Sequence, residues 1–183
     1  YKGSKKFSAV AVGRLVEQKN FYLLINAFSS FAKEHTNASL SIYGDGALKD
    51  ELNKLIKKNR MEKQIFLMGR TDNLPYILEH SSVFIMSSNF EGMPNSLMEA
   101  MAVGIPVIST DCPTGPKELI GDNERGLLVN MDNKELLIQA IQSILLRNSE
   151  ALKRSYKAKG FITRNFSPWE ISEQLIIVCN NIK

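Results

Sequence analysis

The stretch VFIMSSNFEGMPNSLMEAMAVGIPVIST, residues 83–110, contains two short apolar runs, Val83–Met86 and Pro106–Ser109, on either side of a helical pattern at Asn95–Val103. Gly104 follows the helical pattern, and glycine commonly ends helices. The two runs are mainly apolar and show no alternation of apolar and polar residues, which is typical of strands buried on both faces. The stretch therefore predicts a strand–helix–strand unit with two parallel strands.

The same alternation of strands and helices extends in both directions along the chain. Further predicted strands are Phe7–Val12, Ser39–Tyr43, Ile65–Met68 and Leu127–Val129. Further predicted helices are Asn20–Lys33, Gly46–Asn59, Asn73–His80, Lys134–Leu146, Glu150–Thr163 and Trp169–Asn180. We predict an α/β fold: a Rossmann-like, doubly wound parallel sheet of about six strands with helices on both faces. Ligands of such sheets bind beyond the carboxyl ends of the strands, so the candidate site residues are those that follow each strand.

Composition restricts the class of protein only broadly. The chain has 183 residues, of which 44% are hydrophobic and 23% charged, as in a soluble globular domain. A net charge of +4 is compatible with an anionic ligand, and equally with an ordinary lysine-rich surface. No basic stripe interleaved with aromatic residues appears, which argues against nucleic-acid binding. The two cysteines show no paired spacing, so neither a disulfide framework nor a zinc site is expected, and a reducing cytoplasm fits.

The loop after the first strand contains Gly13, Arg14 and Lys19. A glycine turn lets the backbone approach a ligand closely, and two cations beside it would bind a diphosphate. Ordinary charges on a surface loop are the alternative interpretation.

The loop and helix after the fourth strand combine two glutamates with a helix N-terminus. The backbone amides of Asn95 and Ser96 should point out of the helix start, which is a favourable position for an anion. Glu99, about one turn into the helix, could reach a ribose, whereas Glu91 lies in the loop. Two solvated surface acids are the alternative interpretation.

Two glycine-containing turns complete the set of motifs. Gly44-Asp45-Gly46 lacks the third glycine of a dinucleotide fingerprint and follows the second strand, not the first, which argues against a dehydrogenase and favours a tight turn. Thr114-Gly115-Pro116 predicts a turn into a further helix after the fifth strand. This turn either closes the site from another side or is a plain connection.

Five motifs in the same order and spacing resemble the C-terminal domain of family 4 glycosyltransferases, which have the two-domain GT-B architecture. They are VGRL at 12–15 with Lys19, GDG at 44–46, FLMG at 66–69, EGMPNSLME at 91–99 and AMAVGIPVIST at 100–110. The resemblance runs from about Phe7 to the C-terminus, and Glu91 and Glu99 fit the paired-glutamate signature of the family.

The resemblance implies a role for each site residue. Arg14 and Lys19 would bind the donor diphosphate, Glu99 the ribose and Glu91 the transferred sugar, with Glu91, Arg14 and Lys19 as the catalytic residues. Pro94 replaces the usual glycine of the family and donates no N–H to the sugar. The complete expected donor site is Gly13, Arg14, Lys19, Arg70, Thr71, Glu91, Gly92, Met93, Asn95, Ser96 and Glu99, with Arg70 and Thr71 near the nucleobase.

The resemblance also implies a retaining transferase that moves a sugar from a nucleoside diphosphate sugar, with a uridine diphosphate donor, to an acceptor hydroxyl in polysaccharide or glycolipid synthesis. We expect no metal or other cofactor, since the sequence has no Asp-x-Asp pair.

The resemblance also implies a domain organisation. Residues 1–6 would be a linker from a missing N-terminal domain that binds the acceptor. Residues 7–183 would be the nucleotide-sugar-binding domain, whose last helices, about 150–183, pack toward the missing domain. His35 and His80 are expected to be structural. We expect a cytoplasmic protein at the inner face of the membrane, inactive as this fragment alone.

Two alternatives share this architecture. One is a non-catalytic nucleotide-sugar-binding module, and the other is a GT-B sugar-nucleotide epimerase. The combination of Lys19 with the paired glutamates favours transfer over epimerisation.

Overall fold

The structure, a computed structural model, describes residues 6–167 and contains a single parallel sheet of six strands in the order β3-β2-β1-β4-β5-β6. The strands are β1 Phe7–Val12, β2 Ala38–Tyr43, β3 Ile65–Gly69, β4 Val83–Met86, β5 Val107–Thr110 and β6 Leu127–Val129. The predicted fold class is confirmed. The chain builds outward from β1 to β3 and then returns to place β4 on the other side of β1, so the loops after β1 and β4 flank the crevice at which such sheets bind ligands.

Seven helices cover the two faces of the sheet within the described residues. They are α1 Phe21–Glu34, α2 Lys49–Lys58, α3 Leu74–Glu79, α4 Asn95–Val103, α5 Pro116–Ile120, α6 Lys134–Leu146 and α7 Asn148–Asn165. Helices α1, α2 and α6 bury their apolar residues in one core, whereas α3, α4, α5 and most of α7 bury theirs in the other. The strands supply both cores because successive side chains point to opposite faces, as Ala9 and Val10 do in β1.

The central strands read as continuous apolar runs because both faces are covered. All four residues of β4 are buried, and Phe84 within it is fully buried. Phe28 on α1 is equally inaccessible in the opposite core. Burying one such side chain contributes roughly 1.5–3 kcal/mol.

Several predicted element boundaries differ from those in the structure. Helix α2 begins at Lys49 and not at Gly46, and the N–H of Leu48 just before it donates to the carbonyl of Leu15 in the loop after β1. A short 3-10 helix, Glu17–Lys19, occupies part of the stretch that the sequence shows as a loop. Helix α7 begins at Asn148, two residues before the predicted start.

The described part of the C-terminal stretch packs on this domain. Ala158 and Ile162 of α7 lie in the same core as α4. The predicted helix Trp169–Asn180 and residues 1–5 of the predicted linker lie outside the described residues. Within residues 6–167, no helix combines the length and the apolarity needed to cross a membrane.

Candidate functional site

The most distinctive group at the carboxyl edge of the sheet is an ion pair between Lys19 and Glu91. The Lys19 ammonium lies 2.5 Å from Glu91 Oε1, and the hydroxyl of Ser88 donates to the same oxygen at 2.6 Å. The two charged side chains are only 16% and 7% exposed. Sequence reasoning assigned Lys19 and Glu91 to different parts of a ligand, and the structure brings them into direct contact. We call Lys19, Ser88 and Glu91 the Lys19–Glu91 cluster.

The 3-10 helix that carries Lys19 is joined to the loop after β4. The backbone N–H of Asn89 donates to the carbonyl of Gln18 at 2.8 Å, and the Gln18 side chain donates to the carbonyl of Phe90 at 2.9 Å. The hydroxyl of Ser87 donates to the carbonyl of Lys19 at 2.9 Å. The loops after β1 and β4 therefore form one hydrogen-bonded unit, which fixes the backbone on both sides of the ion pair.

Two glycines let backbone segments meet around the loop after β1. A Cβ on Gly13 would lie 3.1 Å from Cδ of Lys19, so glycine leaves room for the lysine side chain across the turn. Gly44 has a φ of +143°, and a Cβ there would lie 1.9 Å from the carbonyl oxygen of Gly13. The Gly44-Asp45-Gly46 motif is thus more than a tight turn, because it supports the loop of Gly13 from behind.

A cleft of about 350 Å³ opens beside the Lys19–Glu91 cluster, between the ends of β1, β2 and β3. It brings together Arg14, Arg70 and Thr71, and both arginines are exposed. We call this region the Arg14–Arg70 cleft. Its lining residues are Val12, Gly13, Arg14, Tyr43, Gly44, Asp45, Arg70, Thr71, Asp72 and Leu74.

Sequence reasoning missed two carboxylates of the Arg14–Arg70 cleft, those of Asp45 and Asp72. Each follows a strand closely, Asp45 after β2 and Asp72 after β3. The rule that ligand-binding residues follow strand ends would have found both.

Helix α4 begins next to the Lys19–Glu91 cluster. Pro94 is its N-cap residue, and Asn95 and Ser96 are its first two helical residues, whose amides have no carbonyl one turn earlier to bond. Glu99 lies one turn further on and is exposed. Glu99 forms no ion pair or side-chain hydrogen bond with either group of residues in the part of the chain that the structure describes.

The loop after β5 contacts the loop that carries Glu91. The hydroxyl of Thr110 donates to the carbonyl of Ser88 at 2.6 Å, and the hydroxyl of Thr114 donates to the carbonyl of Glu91. A Cβ on Gly115 would lie 2.3 Å from the carbonyl oxygen of Gly92, so the two loops touch at a glycine. These contacts favour the interpretation in which this loop borders the site. Gly92 and the exposed Met93 lie in the same contact region, between Glu91 and α4.

The two histidines of the chain lie apart from these groups. His35 and His80 cap the ends of α1 and α3 and lie against Phe31 and Tyr76, at ring separations of 4.4 and 4.1 Å. Burial, with a smaller effect of the Glu91 charge, raises the pKa of the Cys112 thiol. Among residues 6–167, no group of three or more His, Cys, Asp or Glu side chains is placed to hold a metal ion.

The fold and these loops define a Rossmann-like α/β domain with a charged crevice at its topological switch point. The sequence profile of the family described as "Glycosyl transferases group 1" matches residues 2–161. The chain belongs to this family. Its sheet and helices are those of the C-terminal domain in the GT-B architecture, as sequence analysis expected.

Three relatives illustrate the similarity. The N-acetylgalactosamine-N,N'-diacetylbacillosaminyl-diphospho-undecaprenol 4-alpha-N-acetylgalactosaminyltransferase of Campylobacter jejuni is 40% identical over 152 residues, which are 82% of this chain and 40% of that protein. A variant of S. aureus TarM, solved with fondaparinux, alpha-GlcNAc-glycerol and UDP, superposes with a TM-score of 0.88 at 28% identity, over 93% of this chain and 35% of that one. The C-terminal domain of the Francisella tularensis group 1 protein LpcC matches in fold, with a TM-score of 0.79 at 22% identity, over 89% of this chain and 87% of that domain. The chain thus spans 40% and 35% of the first two relatives.

Proposed function

We propose that this chain is the donor-binding half of a retaining glycosyltransferase, which transfers a sugar from a uridine diphosphate sugar to an acceptor hydroxyl in polysaccharide or glycolipid synthesis. The observation that carries the proposal is the Lys19–Glu91 cluster at the switch point of the sheet. Lys19 offers a cation for a diphosphate, and Glu91 offers a carboxylate for a sugar hydroxyl. The two side chains are largely buried and in direct contact.

The main catalytic demand is the departure of a diphosphate with growing negative charge. Lys19, Arg14 and the free amides at the start of α4 are the groups that would stabilise this charge. Such preorganised donors are often the largest catalytic contribution, and removal of one costs about 3 kcal/mol in the barrier. These cations would stabilise the charge of the leaving diphosphate, as a metal ion does in other transferases. We therefore propose a metal-independent reaction.

Glu91 would orient the transferred sugar with its second carboxylate oxygen. Both Lys19 and Ser88 donate to Oε1, whereas no described residue donates to Oε2. A sugar hydroxyl could therefore donate to Oε2 without displacing either partner. In this arrangement Glu91 is held in one orientation before the donor arrives, which lowers the entropic cost of binding.

The Arg14–Arg70 cleft would accept the nucleoside. Arg70 and Thr71 would border the base, and Glu99 on α4 would accept from the ribose hydroxyls. The uridine base is supported by the S. aureus relative, which was solved with UDP.

The acceptor belongs to the part of the enzyme outside this chain. The Campylobacter jejuni relative is named for a diphospho-undecaprenol acceptor, and this chain spans 40% of it. We propose a carbohydrate or lipid-linked acceptor bound mainly by an N-terminal domain, which for a lipid-linked acceptor would bring the enzyme to the inner face of the membrane. The chain by itself would bind donor without turning it over.

A thermal-shift titration of the chain with uridine, guanosine and adenosine diphosphate sugars tests the proposal. The stabilisation by a bound ligand grows as RT ln(1 + [L]/Kd). We expect a dose-dependent rise in Tm with the uridine series that is unchanged by EDTA. No rise with any sugar nucleotide would overturn the proposal, and a larger rise with another base would overturn the assignment of uridine.

A further inference from the structure

The loop after β5 contacts the backbone of Glu91, whereas Lys19 contacts its carboxylate. The hydroxyl of Thr114 is within reach of two carbonyls, those of Glu91 and Pro113. Because a hydroxyl has one proton, it donates to the nearer acceptor, the carbonyl of Glu91. Ser88 meanwhile holds the carboxylate of Glu91, and Thr110 holds the carbonyl of Ser88.

Thr114 makes this contact from a backbone conformation that is unfavourable for its residue type. Its φ is +60°, in the left-handed region, where a β-branched residue is an outlier. A glycine or asparagine would occupy this position with less strain. Strained residues of this kind cluster at functional sites when the side chain is needed there. Here the contact of the side chain with Glu91 is the evident compensation for the strain.

The next residue, Gly115, shows how closely the two loops are packed. It also has a positive φ, of +86°, and a Cβ on it would meet the carbonyl oxygen of Gly92 at 2.3 Å and Cδ of Pro94 at 2.6 Å. The backbone between Glu91 and the start of α4 therefore lies directly against the Thr114–Gly115 turn. The contacts of this turn are with the segment that carries Glu91 and not with the residues that line the Arg14–Arg70 cleft.

We infer that Thr114 is a positioning residue for Glu91. Through Thr114, the loop after β5 determines how much more tightly the site binds a sugar nucleotide than the nucleotide alone. The inference rests on the proposed function. Thr114 acts only at the sugar end, because its hydroxyl contacts the backbone of Glu91 and not the residues of the Arg14–Arg70 cleft.

The test compares the affinities of the chain for UDP and for three probes, UDP-N-acetylglucosamine, UDP-N-acetylgalactosamine and UDP-glucose, by calorimetry. The measured quantity is the preference ratio, Kd for UDP divided by Kd for the tightest of the three sugar nucleotides. In Thr114→Val, which keeps the shape and loses the hydroxyl, we expect an unchanged Kd for UDP and a ratio about fivefold lower, the usual effect of one lost hydrogen bond. Thr114→Ser keeps the hydroxyl and should restore the ratio.

Thr114→Gly separates the positioning role from stability. Glycine relieves the backbone strain, so we expect this variant to unfold at a higher temperature than Thr114→Val. Its preference ratio should nevertheless be as low as that of Thr114→Val, because the hydroxyl is missing in both. The matched control is Arg60→Gly, at an exposed residue with a φ of +58° after α2, which should alter Tm and leave the ratio unchanged.

Three outcomes would overturn the inference. They are a Thr114→Val variant with the ratio of the original chain, a Thr114→Ser variant that fails to restore it, and an unsubstituted chain that binds UDP with no gain from any of the sugars. If the unsubstituted chain binds none of the four nucleotides, the proposed uridine donor fails as well. If it binds UDP and only the Thr114 variants behave differently from expectation, the inference about Thr114 fails and the proposed donor stands.

Discussion

The Lys19–Glu91 cluster and the Arg14–Arg70 cleft lie side by side at the same edge of the sheet, but they differ in burial and in the hydrogen bonds that fix their side chains. The cluster is largely buried, and hydrogen bonds from three loops fix it. The cleft is lined by exposed arginines, and its shape depends on glycine turns behind it. If the proposed function is right, the difference predicts that the diphosphate and sugar end of the site is preorganised, whereas the nucleoside end adjusts to its ligand.

The largest contrast should appear in the stability of the fold when one charge is removed from each region. Lys19→Met leaves the carboxylate of Glu91 buried without its cation, and we expect a loss of about 3 kcal/mol in the free energy of unfolding. Arg14→Met removes an exposed charge and should change that free energy by less than about 0.5 kcal/mol. Urea denaturation of both variants measures the contrast.

The double variant Lys19→Met with Glu91→Gln provides the control for this comparison. Because it removes both charges, we expect it to be more stable than Lys19→Met alone. Equal losses for Lys19→Met and Arg14→Met would show that the two regions do not differ in the way described here.

The glycine turn that packs against the loop after β1 should give the next largest effect. In Gly44→Ala the new Cβ would overlap the carbonyl of Gly13, and we expect a loss of about 2 kcal/mol in the free energy of unfolding. Gly92→Ala is the matched control, since its Cβ meets nothing within 4 Å. A stability curve for Gly44→Ala that coincides with that of Gly92→Ala would rule out the support that Gly44 gives to the loop after β1.

The fold was predictable because its signal is local and repeated. Strands buried on both faces, such as β4, appear as short apolar runs, and helices such as α1 show their own period. The 3-10 helix Glu17–Lys19 escaped prediction because three residues are too few to show a period. Short helix α5 was foreseen only as a turn that leads into a helix.

The contacts among the predicted site residues could not be read from the sequence, and their roles toward a donor stay predictions. The rule of strand ends led to Arg14, Lys19 and Glu91, and the family resemblance added Arg70 and gave each residue its expected role. The ion pair of Lys19 with Glu91 joins residues 72 positions apart, and the Thr114–Glu91 bond joins loops from two different strands. Such contacts depend on the conformations of irregular loops, which have no periodic sequence pattern.

The smallest effect should come from the exposed cleft. We expect Arg70→Ala to weaken UDP binding by about three- to fivefold, because a solvated arginine contributes about 1 kcal/mol or less, with no loss of stability. Raising the salt concentration should weaken UDP binding of the original chain, since an exposed cationic site is screened. Calorimetry at two salt concentrations measures both. A change in the unfolding midpoint of Arg70→Ala would place this residue in the rigid part of the site instead.

A crystal structure of this chain with UDP would test most directly whether the cationic crevice binds the donor. We predict that the diphosphate oxygens lie within hydrogen-bonding distance of the Lys19 ammonium and the Arg14 guanidinium, with the base between Arg70 and Thr71. UDP bound elsewhere, for example in the cavity of about 340 Å³ at the opposite edge of the sheet beside Ser82 and Pro106, would contradict it.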